Sequence, residues 1–320
     1  MRAHLDALRQ SLPSLMEGFV QTRDPAFPWL TSGTVYQYSR IETLSGMLGG
    51  TVFDTPTKRR PLESIWATSS VHLNDSQEFL IGKELLKTAL AGLPAGPIRT
   101  QMRLALRDAD ALEVYCACFS AVEDDLSQWR GYGANGSGVC LGFDLERLLG
   151  DLDGVGYWVL YGKPGKNAHQ VGVAGDLVAY IHKAIGSALT AVAPLLAPPP
   201  PGGTVVIPGA VLREIRQQLT EIWPTLCLAF KHLDFEAEKE FRIVYSEAVG
   251  RPISPSFRPH PLVPFVKLEM RSGAQIPLKH IRLRPAISSR DNLRSAKLAL
   301  VKLPVNSVVV DPSDIPYVPK

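Results

Sequence analysis

The chain has 320 residues, of which 45% are hydrophobic and 20% are charged. These fractions are typical of a folded globular protein, and they exclude the strongly charged, weakly hydrophobic class of disordered chains. The formal net charge of +3 is too small to indicate a nucleic-acid-binding protein by electrostatics alone.

The first twenty residues show helical spacing of apolar side chains, but charges and Pro13 interrupt the pattern. They lack the continuous apolar core of a signal peptide, and no apolar run reaches the ~18–20 residues needed to span a bilayer. No CxxC pair or histidine cluster predicts a metal site, and the few cysteines suit a reducing compartment. We therefore expect a cytoplasmic protein with no membrane partner and no metal.

In chain order, residues 1–33 are predicted to form an N-terminal helical extension. TVYQYSR (34–40) follows as a strand, IETLSGML (41–48) as a helix ended by two glycines, and SIWATSS (64–70) as a second strand. Residues 76–93 are predicted to be helical, with Asp75 and Glu78 at the spacing of a capping box.

EVYCACFS (113–120) and SGVCLGFD (137–144) are the next predicted strands, and the polar, Gly-rich SQWRGYGANG between them is predicted to be a turn region. YWVLYG (157–162) is another predicted strand. Helices are predicted at 173–196, ended by APPPPGG, and at 211–233, where Pro224 should kink or divide the helix. Residues 164–233 therefore form a predicted helical, Pro-rich insertion within a single domain spanning 34–320.

Strands FRIVYS, FVKLEM and HIRLRP, a helix at 289–302 and a last strand SVVVD complete the predicted elements. Strands and helices alternate irregularly, which favours an α+β fold over a doubly wound parallel sheet.

The stretch FEAEKEFRIVYSE places two glutamates at the start of a predicted strand. From Glu240 onward, alternation puts Glu240 and Arg242 on one face and Phe241 and Ile243 on the other. One interpretation is a surface ion pair between Glu240 and Arg242, which contributes only ~0–1 kcal/mol. The other is a catalytic carboxylate, with Glu238 as the more exposed of the two glutamates.

Four segments, VYQYSR, NDSQE, SQWRGY and EAEKEFR, together resemble a widespread bacterial family of uncharacterised domains. Members show Tyr-His-Tyr-Thr, Asn-Asp-x-x-Glu, Ser-x-Trp-x-x-Tyr and Glu-x-Glu-x-Arg motifs in this order. The likeness runs from about Val35 to Tyr317. It implies no established chemistry by itself.

The same order of motifs is more distantly similar to the ADP-ribosyltransferase superfamily. That resemblance implies a split, mixed or antiparallel sheet with flanking helices, and NAD bound as a substrate. It implies Glu240 and Glu238 as catalytic residues, with Thr68 near the nicotinamide group of NAD. The cofactor-binding set that it implies is Tyr36, Gln37, Tyr38, Arg40, Ser69, Ser70, Asn74, Glu78, Gln128, Trp129 and Tyr132. Gln37 stands where the family usually has histidine, and glutamine cannot become a cation.

Structural explanations compete with these assignments. Asn74 and Glu78 fit a turn and helix cap, Trp129 fits packing against the sheet, Ser69 and Ser70 fit a strand end, and Arg40 fits a solvated position. The resemblance predicts an enzyme that transfers ADP-ribose from NAD to a macromolecular acceptor, protein or nucleic acid, or hydrolyses NAD, of the toxin or anti-phage defence type. Two alternatives are a non-catalytic nucleotide-sensing or protein-interaction module and a nucleic-acid-acting enzyme.

Overall fold

The computed structural model describes residues 33–41, 64–73, 77–162, 168–192, 207–246, 254–258, 262–283 and 308–317, with scattered helical residues between 3 and 19. The predicted helix at 289–302 and most of the predicted helix at 41–48 lie outside the described residues. None of the helices within the described part of the chain is long and apolar enough to cross a membrane.

The described residues form a mixed α+β structure around an open sheet of ten strands. The strands are β1 Thr34–Ser39, β2 Ile65–Ser69, β3 Tyr115–Ser120, β4 Val139–Asp144, β5 Val155–Trp158, β6 Leu160–Gly162, β7 Phe230–His232, β8 Glu240–Tyr245, β9 Ser256–Arg258, β10 Val263–Leu268, β11 Leu278–Leu283 and β12 Val309–Pro312. β6 and β7 form a separate parallel pair. In the large sheet β11 and β12 run parallel and the other described pairs run antiparallel.

The large sheet divides at β3. One edge of β3 pairs with β8 along its whole length, from Tyr115 opposite Tyr245 to Ser120 opposite Glu240. The other edge pairs with β2 only at Tyr115 and Cys116 and with β1 only at Ser120. Because β1 and β2 meet opposite ends of β3, a gap opens between them beside the middle of this strand.

The helices are α1 Glu78–Ala91, α2 Pro97–Asp108, α3 Leu126–Gly131, α4 Leu145–Asp151, α5 Ala168–Val192 and α6 Gly209–Cys227. Of these, α1, α2, α5 and α6 pack on one another and on one face of the central strands. This helical core includes the buried side chains of Leu86, Met102, Val178, Trp223 and Val244. The helices of the predicted insertion therefore belong to the same apolar core as α1 and α2.

The opposite face of the sheet has its own core, the sheet core, to which strands from both ends of the sheet contribute. Val35 and Leu141 meet Phe241 and Val266 in one cluster, which requires the sheet to curve around it. β8 has both faces covered: Phe241, Ile243 and Tyr245 enter the sheet core while Val244 enters the helical core. The alternation predicted for this strand is confirmed, and the strand is central rather than superficial.

The structure corrects the prediction of one helix over residues 211–233. The helix ends at Cys227, and Phe230–His232 is a strand that pairs with β6. Pro224 does not divide the helix, because the surrounding turn, including Trp223 and Leu226, is fully buried in the helical core and tertiary packing outweighs local propensity. The single strand predicted at 157–162 is also wrong, since β5 and β6 are separated at Val159 and belong to different sheets.

Two helices differ from the sequence-based prediction: α3 lies in a predicted turn region, and α2 was not predicted. The predicted turn region SQWRGYGANG begins with α3, whose N-cap Asp125 accepts a hydrogen bond from the backbone of Gln128 at 3.0 Å. α2 was missed, although it starts with a proline at the favourable first position. α1 begins at Glu78 with Gln77 at its N-cap, and Asp75, the other half of the predicted capping box, lies outside the described residues.

Candidate functional site

A cleft of about 610 Å³ lies at the gap between β1 and β2. Its walls come from both strands, from β3 and β8, and from segments that approach the start of β8. The predicted site residues that line it are Tyr36, Gln37, Tyr38, Arg40, Thr68, Gln128, Tyr132, Glu238 and Glu240. The fold therefore brings residues from four separated sequence segments to one cavity.

Glu240 and Arg242 form a buried, two-point ion pair inside this cleft. Arg242 donates from Nε to Glu240 Oε1 at 2.7 Å and from Nη2 to Glu240 Oε2 at 2.8 Å. Lys231 Nζ on β7 reaches the same carboxylate at 2.9 Å. The partner predicted for Glu240 is confirmed, but the surface location is wrong, because the Glu240 and Arg242 side chains are only 6% and 1% exposed.

This environment fixes the ionisation of Glu240. Burial by itself would raise the pKa of the carboxyl group, but the charges of Arg242 and Lys231 outweigh it and lower the pKa to about 2. Glu240 is therefore an anion with its lone pairs occupied by two cations. A carboxylate in that state is a weak proton acceptor and a firm anchor for the groups around it.

Glu238 stands nearer the solvent than Glu240. Its carboxylate accepts a hydrogen bond from Tyr132 Oη at 2.6 Å and pairs with Lys231 Nζ at 2.5 Å. Lys231 thus forms ion pairs with both glutamates. Lys239, between them, has φ 43° and ψ 57°, a left-handed conformation that is costly for a non-glycine residue. Strain of this kind persists only where the surrounding structure fixes it, as at ligand sites.

The segment around β1 supplies neutral polar groups and one cation. Gln37 Nε2 points across the gap to the carbonyl of Cys118 at 3.5 Å. Tyr38 Oη donates to the carbonyl of Val122 and accepts from the backbone of Asp125, so this hydroxyl anchors the α3 segment. Arg40 follows the strand at the exposed mouth of the cleft.

A thiol pair also lines the cleft. Cys116 and Cys118 lie on the same face of β3, with Sγ atoms 3.5 Å apart. The contact with Cys116, together with burial, raises the pKa of Cys118 well above its ordinary value. Cys118 is therefore a protonated thiol, unsuited to act as a nucleophile. No group of three or more potential metal ligands occurs among the described residues.

Several predicted residues lie away from the cleft. Trp129 is fully buried, donates from its indole to Asp124 at 2.7 Å and packs edge-on against Tyr38. Ser69 is buried on the opposite face of β2 and donates to Glu113 at 3.3 Å. Ser70, the first residue of a short 3-10 helix, is not among the residues that line the cleft. Asn74 and the side chain of Glu78 lie outside the described residues.

Lys231 and Arg258 are two cationic cleft residues that the sequence did not predict for the site. Lys231 falls within the helix predicted over 211–233, and its position directly after the apolar run LCLAF is a signal of burial with an acidic partner. Arg258 lies on β9, a short strand in a Pro-rich stretch that gave no periodic signal. Both residues contribute cationic groups that determine the charge of the cleft.

Comparison with known proteins gives one family. A family model described as a protein of unknown function, DUF2971, matches residues 128–243. The match contains Tyr132, Lys231, Glu238, Glu240 and Arg242, and it supports the expected resemblance to an uncharacterised domain family. No curated protein and no solved structure matches the chain.

Proposed function

We propose that this protein binds NAD in the cleft and cleaves its nicotinamide–ribose bond, passing ADP-ribose to a macromolecular acceptor or to water. The observation that carries the proposal is the convergence of Gln37, Thr68 and Glu238 at the gap where the sheet divides. These residues come from the first strand, the second strand and the Glu-x-Glu segment, in the order that the resemblance to ADP-ribosyltransferases implies.

The reaction breaks the bond between ribose C1′ and the nicotinamide nitrogen, and nicotinamide leaves with the bonding electron pair. Positive charge then develops on the sugar ring. A fixed carboxylate beside the ribose stabilises that charge and can take the proton of the attacking hydroxyl. The reaction therefore needs an anionic residue that is exposed to the cleft and has space beside it for a ligand.

Glu238 meets this requirement better than Glu240. Glu240 is held by Arg242 and Lys231 and is almost entirely buried, whereas the Glu238 side chain remains 15% exposed. We therefore assign Glu238 to the ribose, and Glu240 to holding Lys231 in place beneath it. Tyr132 orients Glu238 and offers an aromatic face on which nicotinamide can stack.

Gln37 supplies both a donor and an acceptor in the same cavity. Its weak contact with the Cys118 carbonyl, at 3.5 Å, is easily exchanged for a ribose hydroxyl. The side chain is neutral at every pH, so in this proposal it binds by hydrogen bonding alone.

The experiment is release of nicotinamide from NAD by the purified full chain. Glu238→Gln is expected to lower the rate by about 10²-fold, since electrostatic stabilisation of a developing charge is worth several kcal/mol. Glu236→Gln is the matched control, because Glu236 lies exposed in the same short 3-10 helix, Leu233–Glu238, and the change should leave the rate unchanged. Equal rates in wild type and Glu238→Gln, or no turnover by a folded wild type, would contradict the proposal.

A second candidate is a module that binds a nucleotide without consuming it. It is favoured by one observation: both glutamates already have cationic or hydrogen-bonding partners. In that case ADP-ribose raises the melting temperature through binding linkage, while NAD remains intact over long incubation.

A further inference from the structure

Arg258 is held in an unusual way at the end of the cleft distant from the glutamates. Its Nη2 donates to Thr68 Oγ1 at 3.1 Å. Its guanidinium lies 5.3 Å from the ring centre of Phe265 and 5.6 Å from that of Trp66, within range of cation–π attraction. The two rings are themselves stacked at 4.5 Å. The arginine therefore has a fixed position rather than a solvated one.

The charge of Arg258 has no anionic partner within the described part of the chain. No carboxylate there lies within ion-pair distance, and its buried Nε has no hydrogen-bond partner. A second arginine, Arg40, lines the same cleft. Burial and the like charge of Arg40 lower the pKa of Arg258. A partly buried, uncompensated cation is costly for a folded protein, so this arrangement calls for an external anion.

We propose that Arg258, with Arg40 and Thr68, forms an anion-binding subsite that takes the phosphate or diphosphate group of the ligand in this cleft. A guanidinium matches two phosphate oxygens in a fork, and the rings beneath Arg258 fix the plane of that fork. Thr68 adds a hydroxyl beside the guanidinium.

The strand register separates this subsite from the glutamates. Thr68 lies opposite Cys116, and Glu240 lies opposite Ser120. Four residues along β3 correspond to about 13 Å at ~3.3 Å per residue. The cleft therefore binds an elongated ligand with its phosphate end at Arg258 and its ring end near Glu238. The identity of that ligand as NAD rests on the proposed function, but the anion subsite itself does not.

The test is calorimetric titration of the full chain with inorganic pyrophosphate and with ADP-ribose, using adenosine as an uncharged probe. Arg258→Gln is expected to weaken pyrophosphate and ADP-ribose binding tenfold or more. Arg258→Lys, which keeps the charge without the fork, should give an intermediate loss. Arg271→Gln is the control, because Arg271 lies exposed in the turn after β10, outside the cleft lining, and should bind like wild type.

Melting curves report whether each variant folds. Because Arg258→Gln also loses the contacts with Thr68, Trp66 and Phe265, affinities are compared only between proteins that show a cooperative unfolding transition above the assay temperature. Wild-type affinities in folded Arg258→Gln, or a failure of wild type to bind either phosphate probe, would overturn the subsite.

The outcomes also separate this subsite from the proposed reaction. Pyrophosphate binding that depends on Arg258, without any cleavage of NAD, would remove the reaction and keep the subsite. NAD cleavage with an unchanged KM in Arg258→Gln would keep the reaction and remove the subsite.

Discussion

Both ends of the cleft carry cationic side chains, but these cations are paired with carboxylates at one end only. At one end Glu238 and Glu240 are neutralised by Lys231 and Arg242 through short, directed contacts. At the other end Arg258 rests on aromatic rings and has no acidic partner among the described residues. The paired end holds its shape without a ligand, whereas the unpaired end gains an anion when a ligand binds. This difference predicts the orientation of a bound ligand, with its anionic group at Arg258 and its ribose at Glu238.

The largest effect is expected from breaking the paired end. Arg242→Leu leaves Glu240 buried beside a single remaining cation, and such a change typically costs about 3–5 kcal/mol. Denaturant unfolding should show this loss in the free energy of unfolding. The double variant Arg242→Leu with Glu240→Leu should recover a large part of it, because no uncompensated charge remains. A loss below about 1 kcal/mol in the single variant would mean that the pair behaves as a solvated one.

The second effect is a dependence of stability on pH. The pKa of Glu240 is lowered from 4.5 to about 2 in the folded protein. The stability that it contributes is therefore complete above pH 4.5 and is lost as the pH falls from 4.5 towards about 2. Glu240→Gln should be less stable than wild type at neutral pH and should lose less stability over that acid range. Parallel curves of unfolding free energy against pH would contradict this assignment.

A smaller effect is expected at the hydrogen bond between Tyr132 and Glu238. Tyr132→Phe removes one bond to a charged acceptor while keeping the ring, so the cost in stability should be about 1–2 kcal/mol. The rate of nicotinamide release should fall as well, because Glu238 loses the group that orients it. A variant with wild-type rate and lower stability would assign Tyr132 to structure alone.

The smallest effect is expected at Lys239. Glycine relieves its left-handed backbone at a cost in unfolded-state entropy of similar size, so Lys239→Gly should change the unfolding free energy by less than about 1 kcal/mol. Lys239→Val should destabilise by roughly 1–3 kcal/mol, since a β-branched residue tolerates this conformation poorly. Equal stability of the two variants would remove strain from the account of this end of the cleft.

The period-two alternation of β8 could be predicted from sequence because one face is apolar throughout, with Phe241, Ile243 and Tyr245, whereas the other begins with the charged Glu240 and Arg242. Phe241 and Ile243 follow directly from that pattern, and so does the pairing of Glu240 with Arg242. The burial of Glu240 and Arg242 could not be predicted from sequence, because it depends on layers contributed by distant segments. α2 and β7 were missed, and α2 supplies part of the helical core.

Lys231 and Arg258 show a similar limit within the site. Lys231 reaches the glutamates only because the chain turns after Cys227 and starts β7, whereas the predicted helix over 211–233 gave no indication of this contact. Arg258 meets Trp66 through the pairing of β10 with both β2 and β9, a contact between segments about 190 residues apart. Ser69 was misplaced for a simpler reason: neighbouring residues of a strand face opposite sides, and Thr68 took the side of the cleft.

The most direct test of the direction of the cleft is a crystal structure of the full chain with ADP-ribose. We expect the diphosphate within hydrogen-bonding distance of the Arg258 guanidinium and the terminal ribose, the one that carries nicotinamide in NAD, within hydrogen-bonding distance of the Glu238 carboxylate. A ligand bound in the reverse orientation, or bound outside the gap between β1 and β2, would contradict it.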